Sequence, residues 1–286
     1  MLSEILLPIG ELARRTGVNP ITLRAWERRY GLLKPQRTAK GHRLYPPEQV
    51  ERVHAILSWL ERGASVGQVR ELLERPPSVA PVGDWQLREQ AMIEAIASLS
   101  HHALDQQFNQ AMALYPAFTL CEQLLLPLLD SLEQRWRSYF NARLEQAFFH
   151  TWLRSKLGAR VQYDSLSLPG PAVLITTCGD GAFDPHLWLC AWLLGNSAIA
   201  VEVLEQTLTG HCLHRAVQAL RPRAVIFYLG TRVDTRSFKA SLTGIDIPLL
   251  AGGGTVFAHG PRLVEEVEGL QLFDTPLAAL RLLQSL

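Results

Sequence analysis

The sequence predicts an α/β chain of several domains: an N-terminal winged helix-turn-helix, a middle helical bundle and a C-terminal doubly wound parallel sheet. Three observations carry this. Two short helical segments across a glycine turn open the chain; the stretch from Asp84 to about Tyr163 has few Gly or Pro and repeats apolar residues at helical spacing; and after Leu168-Pro169-Gly170-Pro171 short apolar runs alternate with amphipathic ones. With 286 residues, two or three hydrophobic cores are expected. A composition of 48% hydrophobic and 19% charged residues excludes disorder as the main state. No apolar run approaches the roughly 18 residues of a membrane helix, and Glu4 and Glu11 stand where a signal peptide would be basic. A cytoplasmic protein with no membrane partner is the expectation.

In the head, Ile9 to Thr16 reads as an amphipathic helix, Gly17-Val18 as a tight turn, and Asn19 as the N-cap of a second helix with Pro20 in its first position, running to about Tyr30. That second helix presents Thr22, Arg24, Arg28 and Arg29 beside Trp26 and Tyr30, while Leu23 and part of Trp26 face inward. Gly31 to Arg37 and Lys40 to Tyr45 form an extended hairpin, with Lys34, Arg37, Lys40 and Arg43 near its tip and His42 between them. Such cations suit phosphates or a minor groove. Residues 1–75 hold 13 Lys+Arg and 8 Asp+Glu, whereas residues 76–286 hold 15 and 19. A basic head on an acidic body points to a polyanion as the head's partner.

Pro76 to Gly83 contains three prolines and no charge and reads as a stiff linker, so the domains are expected at 1–75 and 84–167, with 168–286 as the third. Leu124, Leu125, Leu128, Leu129 and Leu132 mark the bundle's helical period. In the third domain, strands are predicted at Ala172–Thr177, Ala198–Leu204, Ala224–Leu229, Ile247–Ala251 and Leu270–Phe273. Helices are predicted around Leu187–Leu194, Cys212–Leu220, Ser237–Leu242, Pro261–Glu268 and Pro276–Leu286. A sheet of this type takes ligands at the carboxyl ends of its strands. Cys121, Cys178, Cys190 and Cys212 show no CxxC spacing and read as reduced core thiols rather than a zinc or disulfide framework.

Ile9-Gly10-Glu11-Leu12-Ala13, Thr22 to Leu32 and Gly41-His42-Arg43-Leu44-Tyr45 resemble the signature of MerR-family transcriptional regulators over residues 1 to about 75. The strings Asn19 to Trp26 and Arg28 to Thr38 resemble the branch of that family containing the enterobacterial activator of the curli and biofilm master regulator. The resemblance implies DNA-reading arginines at Arg24, Arg37 and Arg43, with Tyr45 packing the wing, and binding to promoter DNA as a dimer beside RNA polymerase. Metal-sensing members carry cysteine ligands just beyond the wing; this chain has no Cys before Cys121.

The body resembles the B12-dependent light-sensing repressors and their flavodoxin-like, cobalamin-binding fold. Its Asp-x-His-x-x-Gly loop is matched by Asp184-Pro185-His186-Leu187-Trp188-Leu189, with Leu189 in place of the glycine. The resemblance makes His186 a cobalt ligand whose other ring nitrogen Asp184 would hold. Gly252 and Gly253 keep the fold's Gly-Gly, whereas Tyr228 replaces a small serine. Trp136 and Glu145 stand near the places of the repressors' Trp and Glu-His, with Gln146 instead of His. Three readings stay open: cobalamin binding, another small molecule in the same crevice, or a ligand-free dimerisation body.

A cobalamin-dependent enzyme is the competing class, but no nucleophile has an evident base and there is no GxGxxG after a strand or P-loop; Gly179-Asp180-Gly181 is too short to cradle phosphate. A cyclic nucleotide or a regulatory protein, met by Arg221, Arg223, Arg232 and Arg236, is a further possibility.

Overall fold

Gly17 takes φ +69°, a left-handed backbone that glycine adopts at little steric cost, and its N–H closes the first helix on Ala13 O at 2.9 Å. That turn joins α1 (Ile9–Thr16) to α2 (Pro20–Tyr30), where Asn19 Oδ1 accepts the Ile21 N–H at 2.8 Å, as its N-cap chemistry requires. The computed structural model describes residues 6–38, 41–61, 63–74, 84–138, 142–180 and 183–286. Lys40 and the linker expected at 76–83 lie outside them.

The described residues form two compact units, Met1–Gln146 and Ala147–Leu286. In the first, β1 (Leu7–Pro8), β2 (Gln36–Arg37) and β3 (Arg43–Tyr45) make an antiparallel ribbon in the order β1-β3-β2, with Leu7 opposite Tyr45 and Arg37 opposite Arg43. The predicted hairpin is therefore present and gains a third strand. Two helices follow, α3 (Glu48–Glu61) and α4 (Val66–Glu74). Leu12, Leu23, Trp26, Tyr45, Ile56 and Leu60 fill the head's core.

The bundle begins with α5 (Trp85–Ala97), α6 (His101–Leu114) and α7 (Ala117–Leu120), then passes through a π-helical turn at Cys121–Leu125 into α8 (Leu126–Ser138). Head and bundle fall together in the first compact unit. The Trp26 indole N–H of α2 donates to Leu114 O at 2.7 Å, at the end of α6. The last carbonyls of a helix lack intrahelical donors, so Trp26 caps α6 from the head. The unit boundary instead falls inside α9 (Ala142–Ser167), most of which belongs to the second unit.

That unit contains a five-stranded parallel sheet of β4 (Val173–Cys178), β5 (Val201–Thr207), β6 (Ala224–Leu229), β7 (Leu249–Gly252) and β8 (Leu270–Phe273), in the order β5-β4-β6-β7-β8. This is the flavodoxin-like order. Every residue of β4 and β6 is buried; β6 reads as one apolar run, whereas β4 is apolar over Val173-Leu174-Ile175 and ends in Thr176-Thr177-Cys178. The helices are α10 (Pro185–Asn196), α11 (Gly210–Leu220), α12 (Thr235–Leu242), α13 (Val256–Glu266) and α14 (Pro276–Gln284). α10 packs against α14, while Leu213, Phe238 and Leu263 of α11 to α13 share a core with Leu174 and Phe227. α13 starts five residues before the predicted Pro261, which sits inside it. No described helix is long and apolar enough to cross a membrane.

Candidate nucleic-acid interface and the strand-end crevice

α2 has two faces. Thr22, Leu23 and Trp26 are buried, while Arg24 and Arg28, one turn apart, are exposed on the other side and Arg29 is exposed at the edge of the buried face. Its middle carries one acid, Glu27, and the wing seizes it: Arg43 Nε donates to Oε1 and Oε2 at 2.9 Å each, and the Tyr45 hydroxyl donates to Oε2 at 3.0 Å. Burial, and then the Glu27 contact, pushes the Tyr45 hydroxyl up to about 12. The wing is thus fixed to the helix through a carboxylate placed among arginines. That isolated acid was the sequence signal for the latch, and sequence reasoning passed it over.

Arg37 and His42 are exposed on the wing, with the His42 N–H donating to Thr38 Oγ1 at 3.1 Å. Thr22, expected on the presented face of α2, is 3% exposed, a correction, because it lies on the inward face of the helix; Tyr45, expected to pack the wing, is fully buried. Arg43 is half-buried and engaged with Glu27, so its first task is holding the wing. The exposed cations that remain on α2 and the wing include Arg24, Arg28, Arg29, Lys34 and Arg37. Arg14 and Arg15 of α1 both pair with Glu11 at 2.7 Å.

In the second unit, Asp184 caps α10: its Oδ1 accepts the His186 backbone N–H at 2.9 Å and lies 3.2 Å from His186 Nδ1. This contact selects the tautomer with hydrogen on Nδ1, the arrangement a metal-binding imidazole uses. Nearby, the ring of His150 of α9 meets that of Phe183 at a tilt of 42° with centroids 4.7 Å apart, and burial lowers its imidazole to about 4.

The rest of the crevice does not fit cobalamin. Tyr228 is 1% exposed, its ring meets Phe273 edge-on at 5.3 Å, and its hydroxyl lies against the buried Cys190 thiol. Leu189 is buried as well. The two glycines serve this packing: a Cβ on Gly252 would stand 2.0 Å from Phe273 O, and one on Gly253 would stand 3.0 Å from the Tyr228 ring. Aromatic side chains therefore occupy the strand ends where a nucleotide tail would lie. The Asp184–His186 pair retains ligand geometry, but the room behind it is gone.

Trp136 and Glu145 meet in the first unit. Glu145 takes a bidentate pair from Arg135 at 2.9 Å and the Trp136 indole N–H at 3.2 Å, and the guanidinium lowers its carboxyl. Arg221 and Arg223 precede β6 whereas Arg232 and Arg236 follow it, so the four form no single phosphate site. Asp180, in the short glycine-rich loop, accepts the Arg232 N–H at 2.9 Å and binds the Thr231 hydroxyl, a tie between loops rather than a phosphate cradle. Cys212 is exposed, unlike the three other cysteines, which corrects its expected core placement. Among the described residues, no group of three or more His, Cys, Asp or Glu could hold a metal ion.

A helix with one face in the core and one bearing arginines, held in place by a wing, is the working surface of a winged helix-turn-helix transcriptional regulator. Residues 7–75 match the family described as MerR HTH family regulatory protein. The HTH-type transcriptional regulator MlrA of Salmonella typhimurium strain LT2 is 32% identical over 211 residues, 71% of this chain and 82% of that protein. The HTH-type transcriptional repressor CarH of Myxococcus xanthus is 24% identical over 276 residues, 90% of this chain and 92% of that protein. The chain belongs to the MerR family of helix-turn-helix transcriptional regulators. A solved cobalamin-binding protein from Desulfitobacterium hafniense, 14% identical, superposes with a TM-score of 0.37 over 69% of this chain and 97% of its own. The fold assignment rests on the sheet order alone.

Proposed function

We propose that this regulator binds paired promoter half-sites as a homodimer and activates transcription by RNA polymerase. α2 lies in the major groove, and the wing lies on the flanking backbone. The observation that carries this reading is the exposed pair Arg24 and Arg28, one turn apart on a helix whose opposite face is locked into the core, with Arg29 exposed beside them. Arg24 reads base edges; Arg28, Arg29, Arg37, Lys40 and Arg43 neutralise phosphates, with His42 beside them on the wing. Distortion of the spacer between half-sites accounts for activation. The resemblance to the MlrA-containing branch supports biofilm and extracellular-matrix genes as targets. The packed crevice supports a body that serves assembly rather than cobalamin sensing, and the regulator relatives support a non-enzymatic role.

The test is fluorescence anisotropy with duplexes recovered by selection from a random pool. Arg24→Ala is expected to lose preference for the selected sequence over a scrambled one, because a bidentate base contact contributes roughly 1–3 kcal/mol of discrimination. Arg37→Ala is expected to weaken both alike and to reduce the salt slope by about one. Unchanged binding by both variants refutes the assignment.

A further inference from the structure

Among the described residues of the head, Ile21 is the one large apolar side chain that stands exposed, at 64%. An isolated aliphatic is ordinary on a protein surface, but this one occupies the second position of α2. That is the end of a recognition helix that meets base edges. Ile21, Arg24 and Arg28 stand at i, i+3 and i+7, so they share the stripe opposite Thr22, Leu23 and Trp26.

The charge of that stripe selects its occupant. Arg24 and Arg28 are both exposed, and the first turn of α2 carries no acid, which suits a polyanion and not an apolar protein surface. Contact with phosphates alone gives Ile21 nothing to do, because an aliphatic chain neither pairs with them nor donates to them. The major groove presents one apolar group to such a side chain, the C5 methyl of thymine.

We propose that Ile21 reads a thymine through that methyl group, an inference that rests on the DNA-binding reading above and gives it a second base-reading residue. A helix rises 1.5 Å per residue, which places Ile21 about 4.5 Å from Arg24 along the axis, and stacked bases are about 3.4 Å apart. The thymine therefore lies one or two base steps from the base that Arg24 reads. The β-branched side chain is held near a single rotamer by the helix, so its apolar surface is set before DNA arrives. Ala25, at i+4, projects only a methyl group and is half-buried, which lets the helix approach the base edges closely beside Ile21. Arg24 supplies the hydrogen-bonded part of the readout and Ile21 the apolar part, which separates thymine from cytosine, a base without the methyl.

Fluorescence anisotropy of the full-length chain tests it on the selected paired-site duplex, with thymines replaced by deoxyuridine one position at a time in both half-sites. The exchange removes the methyl group and leaves the base pair and the O4 acceptor in place. At one thymine, wild-type affinity is expected to fall about fourfold per half-site, the effect of one methyl group no longer buried, and about fifteenfold in all. Ile21→Ala is expected to bind the thymine duplex at least about tenfold more weakly than wild type and to bind the two duplexes alike at that position. Ile21→Val, which keeps two methyl groups, is expected to retain most of the response. Ile21→Ala keeps its response at the base read by Arg24, which shows that the helix is still in place.

A selected half-site with no thymine within two base steps of the Arg24-dependent base overturns the proposal. So does a wild type indifferent to every exchange, or a methyl response that is the same in Ile21→Ala. Wild-type protein that binds selected and scrambled duplexes alike overturns the DNA reading and this inference with it. A sequence preference that depends on Arg24 but is unaffected by Ile21→Ala overturns this inference alone.

Discussion

Replacing Trp26 by Phe removes the indole N–H that caps α6 and leaves a ring of similar shape in the core. The donor–acceptor distance is 2.7 Å, and Trp26 has no exposed surface, so water cannot take over the bond. Loss of a net hydrogen bond together with the penalty on the buried Leu114 carbonyl costs about 1–2 kcal/mol. The smaller ring adds about 1 kcal/mol of lost burial and unfilled space. The expected destabilisation of the first unit is about 2–3 kcal/mol, or roughly 30- to 150-fold in its folding equilibrium. The melting temperature falls by about 5–10 °C for a unit of this size. Thermal unfolding followed by circular dichroism measures it, with Ile21→Ala, at a position 64% exposed on the same helix, expected within about 0.5 kcal/mol of wild type. A Trp26→Phe variant as stable as the Ile21→Ala control would refute the capping role and the shared core of head and bundle.

Tyr228→Ser empties the space against Phe273 and is expected to destabilise the second unit by about 3–5 kcal/mol in urea unfolding; a cost under about 1 kcal/mol would mean that the ring packs against nothing rigid. Wild-type protein incubated with hydroxocobalamin is expected to emerge from gel filtration colourless, whereas a retained corrinoid spectrum that disappears in His186→Ala would contradict the filled crevice. His150 is held neutral by burial, to about 4 against an ordinary 6.5, so the unfolded chain binds its proton first. Stability of the second unit is therefore expected to be full above about pH 6.5 and to decline as pH falls through 4, and His150→Gln to remove that component. An unchanged pH profile in the variant would show that the imidazole is solvated.

The parts of the fold legible in the sequence were those set by local chemistry. Gly17, Asn19 and Pro20 prescribe their turn and cap without help from distant residues, and the buried strand β6 needs only an unbroken apolar run. What escaped depends on partners far along the chain. The Trp26–Leu114 bond spans 88 residues and ties α2 of the head to α6 of the bundle. β1, two residues long, exists only because β3 pairs with it. At the candidate sites, residue type suggested roles that position then changed. Thr22 sits two residues before Arg24 in sequence but on the opposite helical face in space, and Arg43 serves Glu27 before any phosphate. Gly252 and Gly253 are spaced as in a ligand-binding fold, yet their missing side chains make room for Phe273 and Tyr228.

The central claim is that the exposed face of α2 reads DNA, and the most direct measurement is the affinity of the wild type for a selected paired-site duplex against a scrambled one across a salt series. The account predicts a preference of at least about 10³-fold at physiological salt, reduced by at least about tenfold in Arg24→Ala, with log affinity falling linearly in log salt. Equal affinity for both duplexes, or a preference that survives Arg24→Ala, Arg28→Ala and Arg29→Ala together, would contradict it.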